Sequence, residues 1–168
     1  LRSIPVNFDV SRAKIPGEVL MKAEFFGVAP LLQVYEMPAA VRFYRDLLGF
    51  DLVNQSCEGE EFDWCLLSRS GAEIMLNTMY EAEHRPPQTD AKRVAAHADT
   101  ALYFACRELD SAYEHLRANG VRVEPPHVAP YGMRQLSFSD PDGYGICFQW
   151  PANERRAEEW HHRYGFGV

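Results

Sequence analysis

The spacing of apolar residues along the chain follows a pattern that occurs twice. The stretch Val34 to Val41 is echoed by Cys106 to Tyr113, with Glu36 answering Glu108, Met37 answering Leu109 and Ala40 answering Ala112. The offset is 72 residues, and the same offset relates Gly71 to Gly143, Ile74 to Ile146 and Met75 to Cys147. Gly49-Phe50 matches Gly120-Val121 one residue out of phase, as a loop of different length would produce. A common offset across several weak matches marks an internal repeat.

Each repeat predicts a strand, a helix and then three strands. In the first, Leu31 to Tyr35 reads as a strand entered from Phe25-Phe26. Pro38 suits the first turn of a helix, where its missing N–H costs nothing. Ala40, Phe43 and Leu47, flanked by Val41, Tyr44 and Leu48, recur at helical spacing, and Gly49 ends the helix. Strands are expected at Phe50 to Gln55, Phe62 to Ser68 and Glu73 to Met79, with Ser70-Gly71 as a turn. The second repeat opens with a strand from Thr100 to Cys106. Asp110 is placed to cap a helix through Ala118, and Gly120 stops it. Strands near Val121 to Glu124, at Met133 to Ser139 and at Gly145 to Trp150 complete it. In the turn Asp140-Pro141-Asp142-Gly143, proline presets φ and glycine accepts φ > 0. Val6, Phe8 and Val10 alternate as a short strand would, and Asn153 to Tyr164 reads as a terminal helix.

Composition narrows the class. The 168 residues are 46% apolar, 12% aromatic and 24% charged, as in an ordinary globular domain. The longest apolar run, Phe25 to Leu32, is far short of the roughly 20 residues a membrane helix needs. Acidic residues outnumber basic ones 24 to 17, for a net charge of −7, which argues against a nucleic-acid partner. The same charge would suit a cationic ligand or serve solubility alone. Cys57, Cys65, Cys106 and Cys147 form no C-x-x-C pair, so reduced thiols and a cytoplasmic setting are expected. No secretory signal pattern opens the chain, and Leu1 in place of an initiator Met suggests a missing beginning.

The paired units, with Phe43-Tyr44…Leu48-Gly49-Phe50 in one and Asp140-Pro141-Asp142-Gly143-Tyr144 in the other, resemble the vicinal-oxygen-chelate superfamily. That group holds glyoxalases, extradiol dioxygenases, fosfomycin-modifying enzymes and bleomycin-resistance proteins. The resemblance implies an α+β fold of two tandem βαβββ units forming a cup-shaped mixed sheet. It divides the chain into an N-terminal extension (1–27), a first unit (28–80), a connector (81–99), a second unit (100–151) and a helical tail (152–168). In metal-dependent members, four ligands come from the first and last strands of both units, positions that fall at Ala29, Met75, Ala101 and Cys147. Two alanines, a thioether and one thiol do not make a divalent-metal site. A shift of one residue brings Pro30, Leu76, Leu102 and Phe148, which are no better. The resemblance is therefore to the metal-free, bleomycin-resistance-like branch, whose members act as dimers that sequester an antibiotic.

Strand alternation names the rest of the expected cup: Leu31 and Gln33, Glu73 and Asn77, Tyr103 and Ala105, Gly145 and Gln149. Flat aromatic side chains bind flat ligands at low entropic cost, and Trp64, Tyr103, Tyr131 and Trp150 lie on or beside these strands. Arg134, after the loop Tyr131-Gly132-Met133, either meets an anionic group or solvates an edge. Glu58, Glu60, Glu61 and Asp63 either draw in a cation or protect a hairpin edge by charge. An apolar floor would leave Cys147 an inert packing residue. None of the six histidines forms an H-x-x-x-H pair.

The expected ligand-binding set is thus Gln33, Trp64, Met75, Asn77, Tyr103, Tyr131, Arg134, Cys147 and Gln149. The expected function is metal-free binding or sequestration of a small, partly aromatic or cationic molecule by a homodimer, with no cofactor. The alternatives are a lyase, isomerase or dioxygenase of the same superfamily, using a metal held by unaligned ligands or Glu73 as base, and an accessory module without a ligand. An N-terminal arm embracing a dimer partner is a further expectation.

Overall fold

A computed structural model describes residues 24, 26–59, 61–80 and 82–164, and in it the two repeats fold as two four-stranded sheets. The first unit runs β1 (Leu31–Val34), a helix α1 (Met37–Val41) that continues as a wider turn over Arg42–Leu47, then β2 (Asp51–Gln55), β3 (Trp64–Arg69) and β4 (Ala72–Thr78). The second runs β5 (Ala101–Ala105), α3 (Leu109–Ala118), β6 (His127–Val128), β7 (Met133–Ser139) and β8 (Gly145–Pro151). Between them lies α2 (Ala91–Ala96), and α4 (Glu154–Tyr164) follows the last strand. The spatial orders β1-β4-β3-β2 and β5-β8-β7-β6 are the same topology twice, so the fold is α+β with tandem βαβββ units and an open cup.

The repeat extends to register. Leu31 lies opposite Met75 in the parallel pair β1–β4, and Tyr103 lies opposite Cys147 in β5–β8, each residue 72 after its counterpart. Met75 faces Leu66 on β3, whereas Cys147 faces Ser137 on β7, an offset of 71 that begins at Gly49 and Gly120.

Each sheet buries one face. Leu32, Val34, Cys65, Leu67, Ile74 and Leu76 from the first sheet join Leu136, Phe138 and Ile146 from the second, with the helical residues Ala40, Tyr44, Leu109 and Leu116, in a single core. Each such fully buried aliphatic side chain stabilises the fold by about 1.5–3 kcal/mol. Because both inner faces turn to that shared core, both outer faces are open on its far sides.

The helix after β1 departs from the expected regularity. Over Arg42–Leu47 it widens to i→i+5 bonding, with Leu48 N–H donating to Phe43 O at 3.0 Å. Val41, Tyr44 and Leu48 are the deeply buried set, while Phe43 and Leu47 are only half-buried. Gly49, at φ 73°, reverses the chain as expected.

Two other expectations are corrected. Asp110 is not the cap of α3: the helix begins at Leu109, and the Asp110 carboxylate instead accepts hydrogen bonds of 2.8 and 2.6 Å from Arg134. Residues 121–124 form no strand, because Pro125-Pro126 fix φ and remove two N–H donors, so pairing starts only at His127. The alternation at Val6, Phe8 and Val10, the entry residue Phe25 and the acidic Glu60 lie outside the described residues. Among the described residues no helix is long and apolar enough to cross a membrane.

The turn Asp140-Pro141-Asp142-Gly143-Tyr144 fastens the second unit to the first. Asp140 accepts main-chain N–H bonds from Asp142 and Tyr144, both at 2.9 Å, and the Tyr44 hydroxyl from α1 donates to its other oxygen at 2.9 Å. Strand β1 is an edge, and its outward N–H groups need partners. The Asp142 carboxylate takes Tyr35 N–H at 2.7 Å, and the Tyr144 hydroxyl accepts from Gln33 N–H at 3.2 Å while facing Gln33 O at 3.3 Å. From the connector, the His97 ring stacks on Tyr144 at 4.0 Å and donates through Nδ1 to Asp142 O at 2.7 Å. Burial, with the Asp142 charge beside it, pushes the Asp140 carboxyl up to about 6. Burial likewise raises Asp142 and Tyr144, and lifts Tyr44 well above its ordinary value.

Candidate ligand-binding site

The expected site residues divide between two sheets. Gln33, Trp64, Met75 and Asn77 share the outer face of the first sheet, as the pairings Gln33–Asn77, Leu31–Met75 and Trp64–Asn77 require. Tyr103, Cys147 and Gln149 share the outer face of the second, where Tyr103 opposes Cys147. The structure therefore does not bring all nine together within one chain. It makes two open faces of the same plan.

Arg134 belongs to neither face. It opposes Trp150 on β8, one residue out of step with Gln149, and its guanidinium is held by Asp110 of α3. That bidentate pair raises the Arg134 guanidinium and lowers the Asp110 carboxyl. Glu73 is on the first outer face, exposed and opposite Ser68.

On the first face, the Asn77 amide nitrogen donates to Gln33 Oε1 at 3.1 Å and to Thr78 O at 2.9 Å. Met75 and Trp64 flank this pair, both half-buried. Glu58, Glu61 and Asp63 occupy the loop between β2 and β3, and Asp63 is engaged by the Thr78 hydroxyl at 3.1 Å.

On the second face, the Gln135 amide nitrogen donates to Tyr131 Oη at 2.6 Å and to Gln149 Oε1 at 3.1 Å. Gln135 is 7% exposed, so it fixes its neighbours and stays largely out of reach itself. The sequence reading missed it. Its part depends on Tyr131 and Gln149 meeting it from a loop and from another strand. Tyr131 is 55% and Tyr103 58% exposed, a large aromatic area left open on this face. The C-terminal helix supports the Tyr131 loop: Arg156 donates to Tyr131 O at 2.6 Å, and Trp160 meets Trp150 edge-on at 5.9 Å. Burial raises the Cys147 thiol, which keeps it protonated and unreactive.

The positions that hold a metal in metal-dependent relatives do not fit one here. Met75 and Cys147 sit on different sheets with Leu31 and Tyr103 opposite them, and Ala101 has no donor atom. Among the described residues no three His, Cys, Asp or Glu side chains converge as cation ligands. A thioether is a weak donor, a methyl group none, and one thiol alone cannot hold a divalent ion.

The geometry agrees with comparisons to known proteins. A family model described as the Glyoxalase/Bleomycin resistance protein/Dioxygenase superfamily matches residues 28–148. TnmS3, an antibiotic binding protein from Streptomyces sp. CB03234, is 26% identical, with a TM-score of 0.55 over 79% of this chain and 99% of its own. A superfamily member from Sphaerobacter thermophilus is 26% identical, with a TM-score of 0.53 over 77% of this chain and 98% of its own. The bleomycin resistance determinant encoded on transposon Tn5 shares the fold at 18% identity, with a TM-score of 0.54 over 73% of this chain and 94% of its own. No curated protein matches the sequence significantly.

Proposed function

The chain belongs to the glyoxalase/bleomycin resistance protein/dioxygenase superfamily, and from that premise we propose that it binds and sequesters a small, flat, partly aromatic molecule without a metal. The observation that carries this reading is the make-up of the two outer sheet faces. Each offers a hydrogen-bonded amide pair beside aromatic and soft side chains, Trp64 and Met75 on one and Tyr103 and Tyr131 on the other. Such surfaces orient a flat ligand by a few polar contacts and hold it by apolar area. Structural neighbours that bind an antibiotic or determine bleomycin resistance support the same reading.

A second copy of the chain completes each site. The exposed Leu31, Tyr103 and Tyr131 lie on faces that one chain leaves uncovered, and a homodimer would enclose a ligand between them. The four cysteines are free thiols, which suits work in a reducing cytoplasm.

Thermal denaturation with metal-free bleomycin and a panel of flat aromatic antibiotics tests the binding. A ligand at 100 times its Kd adds about 2.7 kcal/mol of stability, a shift of several degrees for a chain of this size. Sedimentation velocity reads the dimer. A stoichiometric metal retained through purification, or turnover of a diol or α-keto substrate, would overturn the reading.

A further inference from the structure

The loop that carries Tyr131 is held at two points. At the outer face the Gln135 amide nitrogen donates to the Tyr131 hydroxyl at 2.6 Å. The second hold comes from α4. Trp150 follows Gln149 on β8, so its ring turns to the other side of the sheet and packs against the shared core. Trp160 and His161 of α4 meet that ring edge-on at 5.9 and 5.1 Å. One side chain of the docked helix then reaches the loop. The Arg156 guanidinium donates through Nη1 to the Tyr131 main-chain carbonyl at 2.6 Å.

The loop is shaped to receive it. Gly132 N–H donates to Ala129 O at 2.9 Å, and Ala129 N–H donates to Met133 O at 2.8 Å. Ala152 N–H, just before α4, donates to Gly132 O at 3.0 Å. Gly132 has φ 80°, and a Cβ there would lie 3.2 Å from Arg156 Nη1, so the guanidinium uses space that a side chain would need. The first face has no need of this arrangement. Its aromatic residue, Trp64, stands within β3, where pairing with Asn77 on β4 already fixes the backbone.

We propose that α4 sets the position of Tyr131 through Arg156, so that ligand affinity on the second face depends on the docking of the C-terminal helix. Arg156 is a positioning residue, because it meets the Tyr131 main chain and leaves the ring to the ligand. A residue in a loop loses conformational freedom on binding unless it is fixed beforehand, and a charge-assisted hydrogen bond to its carbonyl fixes it. The proposal rests on the small-molecule reading above and adds what controls one of its faces.

Amide hydrogen exchange by NMR, with titrations of metal-free bleomycin and doxorubicin as binding probes, tests it on wild type, Arg156→Ala and Arg156→Lys. Arg156 is exposed, so replacing it leaves the core intact. In Arg156→Ala the Ala129, Gly132 and Ala152 amides are expected to lose protection by about three- to tenfold. Ala157, whose N–H donates to Asn153 O at 3.0 Å within α4, is expected to keep its protection. The probe that binds wild type is expected to bind Arg156→Ala about three- to tenfold more weakly. Arg156→Lys still offers a charged donor to the carbonyl and should recover most of both losses. Unchanged protection at Ala129 and Gly132 overturns the proposal. So does an equal loss at Ala157, because the whole helix would then be unfolding. Lost protection with unmoved probe affinity also overturns it and leaves the binding reading standing. If neither probe binds the wild-type protein, the proposal falls together with the binding reading.

Discussion

Two hairpins stand at equivalent places in the two repeats and do different work. In the first unit, Arg69-Ser70-Gly71-Ala72 joins β3 to β4 with Ser70 at φ 49° and Gly71 at φ 84°, and a Cβ on Gly71 would meet nothing within 4 Å. In the second, Asp140 to Tyr144 joins β7 to β8, and a Cβ on Gly143 would lie 2.5 Å from the Val94 carbonyl of α2. Where the second hairpin has Asp140, Asp142 and Tyr144, the first has Ser68, Ser70 and Ala72, and among the described residues neither serine side chain hydrogen-bonds to the other unit. Strand β1 consequently has its outward N–H groups capped by side chains of the other unit. Among the described residues no side chain takes Ala105 or Arg107 N–H, the groups 72 residues further on. The family-like Asp-Pro-Asp-Gly-Tyr segment is therefore a latch between units, not a part of either outer face. Symmetry of fold coexists with asymmetry of load.

The sharpest way to break that comparison is a pair of matched substitutions. Gly143→Ala combines a left-handed φ of 87° with overpacking against Val94 and should cost roughly 2–5 kcal/mol. Gly71→Ala carries the same backbone penalty alone, about 1–2 kcal/mol, and urea denaturation of both variants measures the difference. Equal losses would mean that the second hairpin bears no special load.

The next effect is a pH dependence. Asp140 has a folded pKa of about 6, above its unfolded value of about 3.9, so the folded state holds the proton more tightly. Its contribution is fully present below pH 4 and is lost as pH rises through about 6, amounting to about 2–3 kcal/mol. Asp140→Asn should remove that slope, so unfolding free energies of the two proteins should draw apart between pH 4 and 7. Parallel curves would refute it.

Tyr44→Phe leaves the buried Asp140 oxygen without its donor and should cost about 1–3 kcal/mol, again by urea denaturation. Tyr144→Phe uncaps the Gln33 main chain while keeping the ring stacked on His97, and about 1 kcal/mol is expected.

Most of the architecture was legible in the chain. The 72-residue offset alone made Leu31 equivalent to Tyr103 and Met75 equivalent to Cys147, and the structure pairs Leu31 with Met75 and Tyr103 with Cys147. Alternation put Gln33, Asn77 and Gln149 on the faces expected to line a cup, and the structure turns those faces away from the shared core. It could not place Arg134, since counting from a loop leaves the parity of β7 undetermined until its pairing with Trp150 is known. Nor could it find Gln135, whose part depends on Tyr131 and Gln149 converging from a loop and another strand.

Local chemistry thus determined the elements and their repeat, because propensity and periodicity are properties of short segments. The tertiary structure alone decided that the two faces lie on separate sheets with a shared core between them. It also turned the Asp140–Tyr144 hairpin into a latch, through partners about 45 to 111 residues away in sequence. Hydrogen bonds at such separations depend on how two units dock, and docking is set by the packing of Phe43, Tyr44 and Phe50 against Phe138, Asp140 and Phe104. No spacing rule within either repeat contains that information.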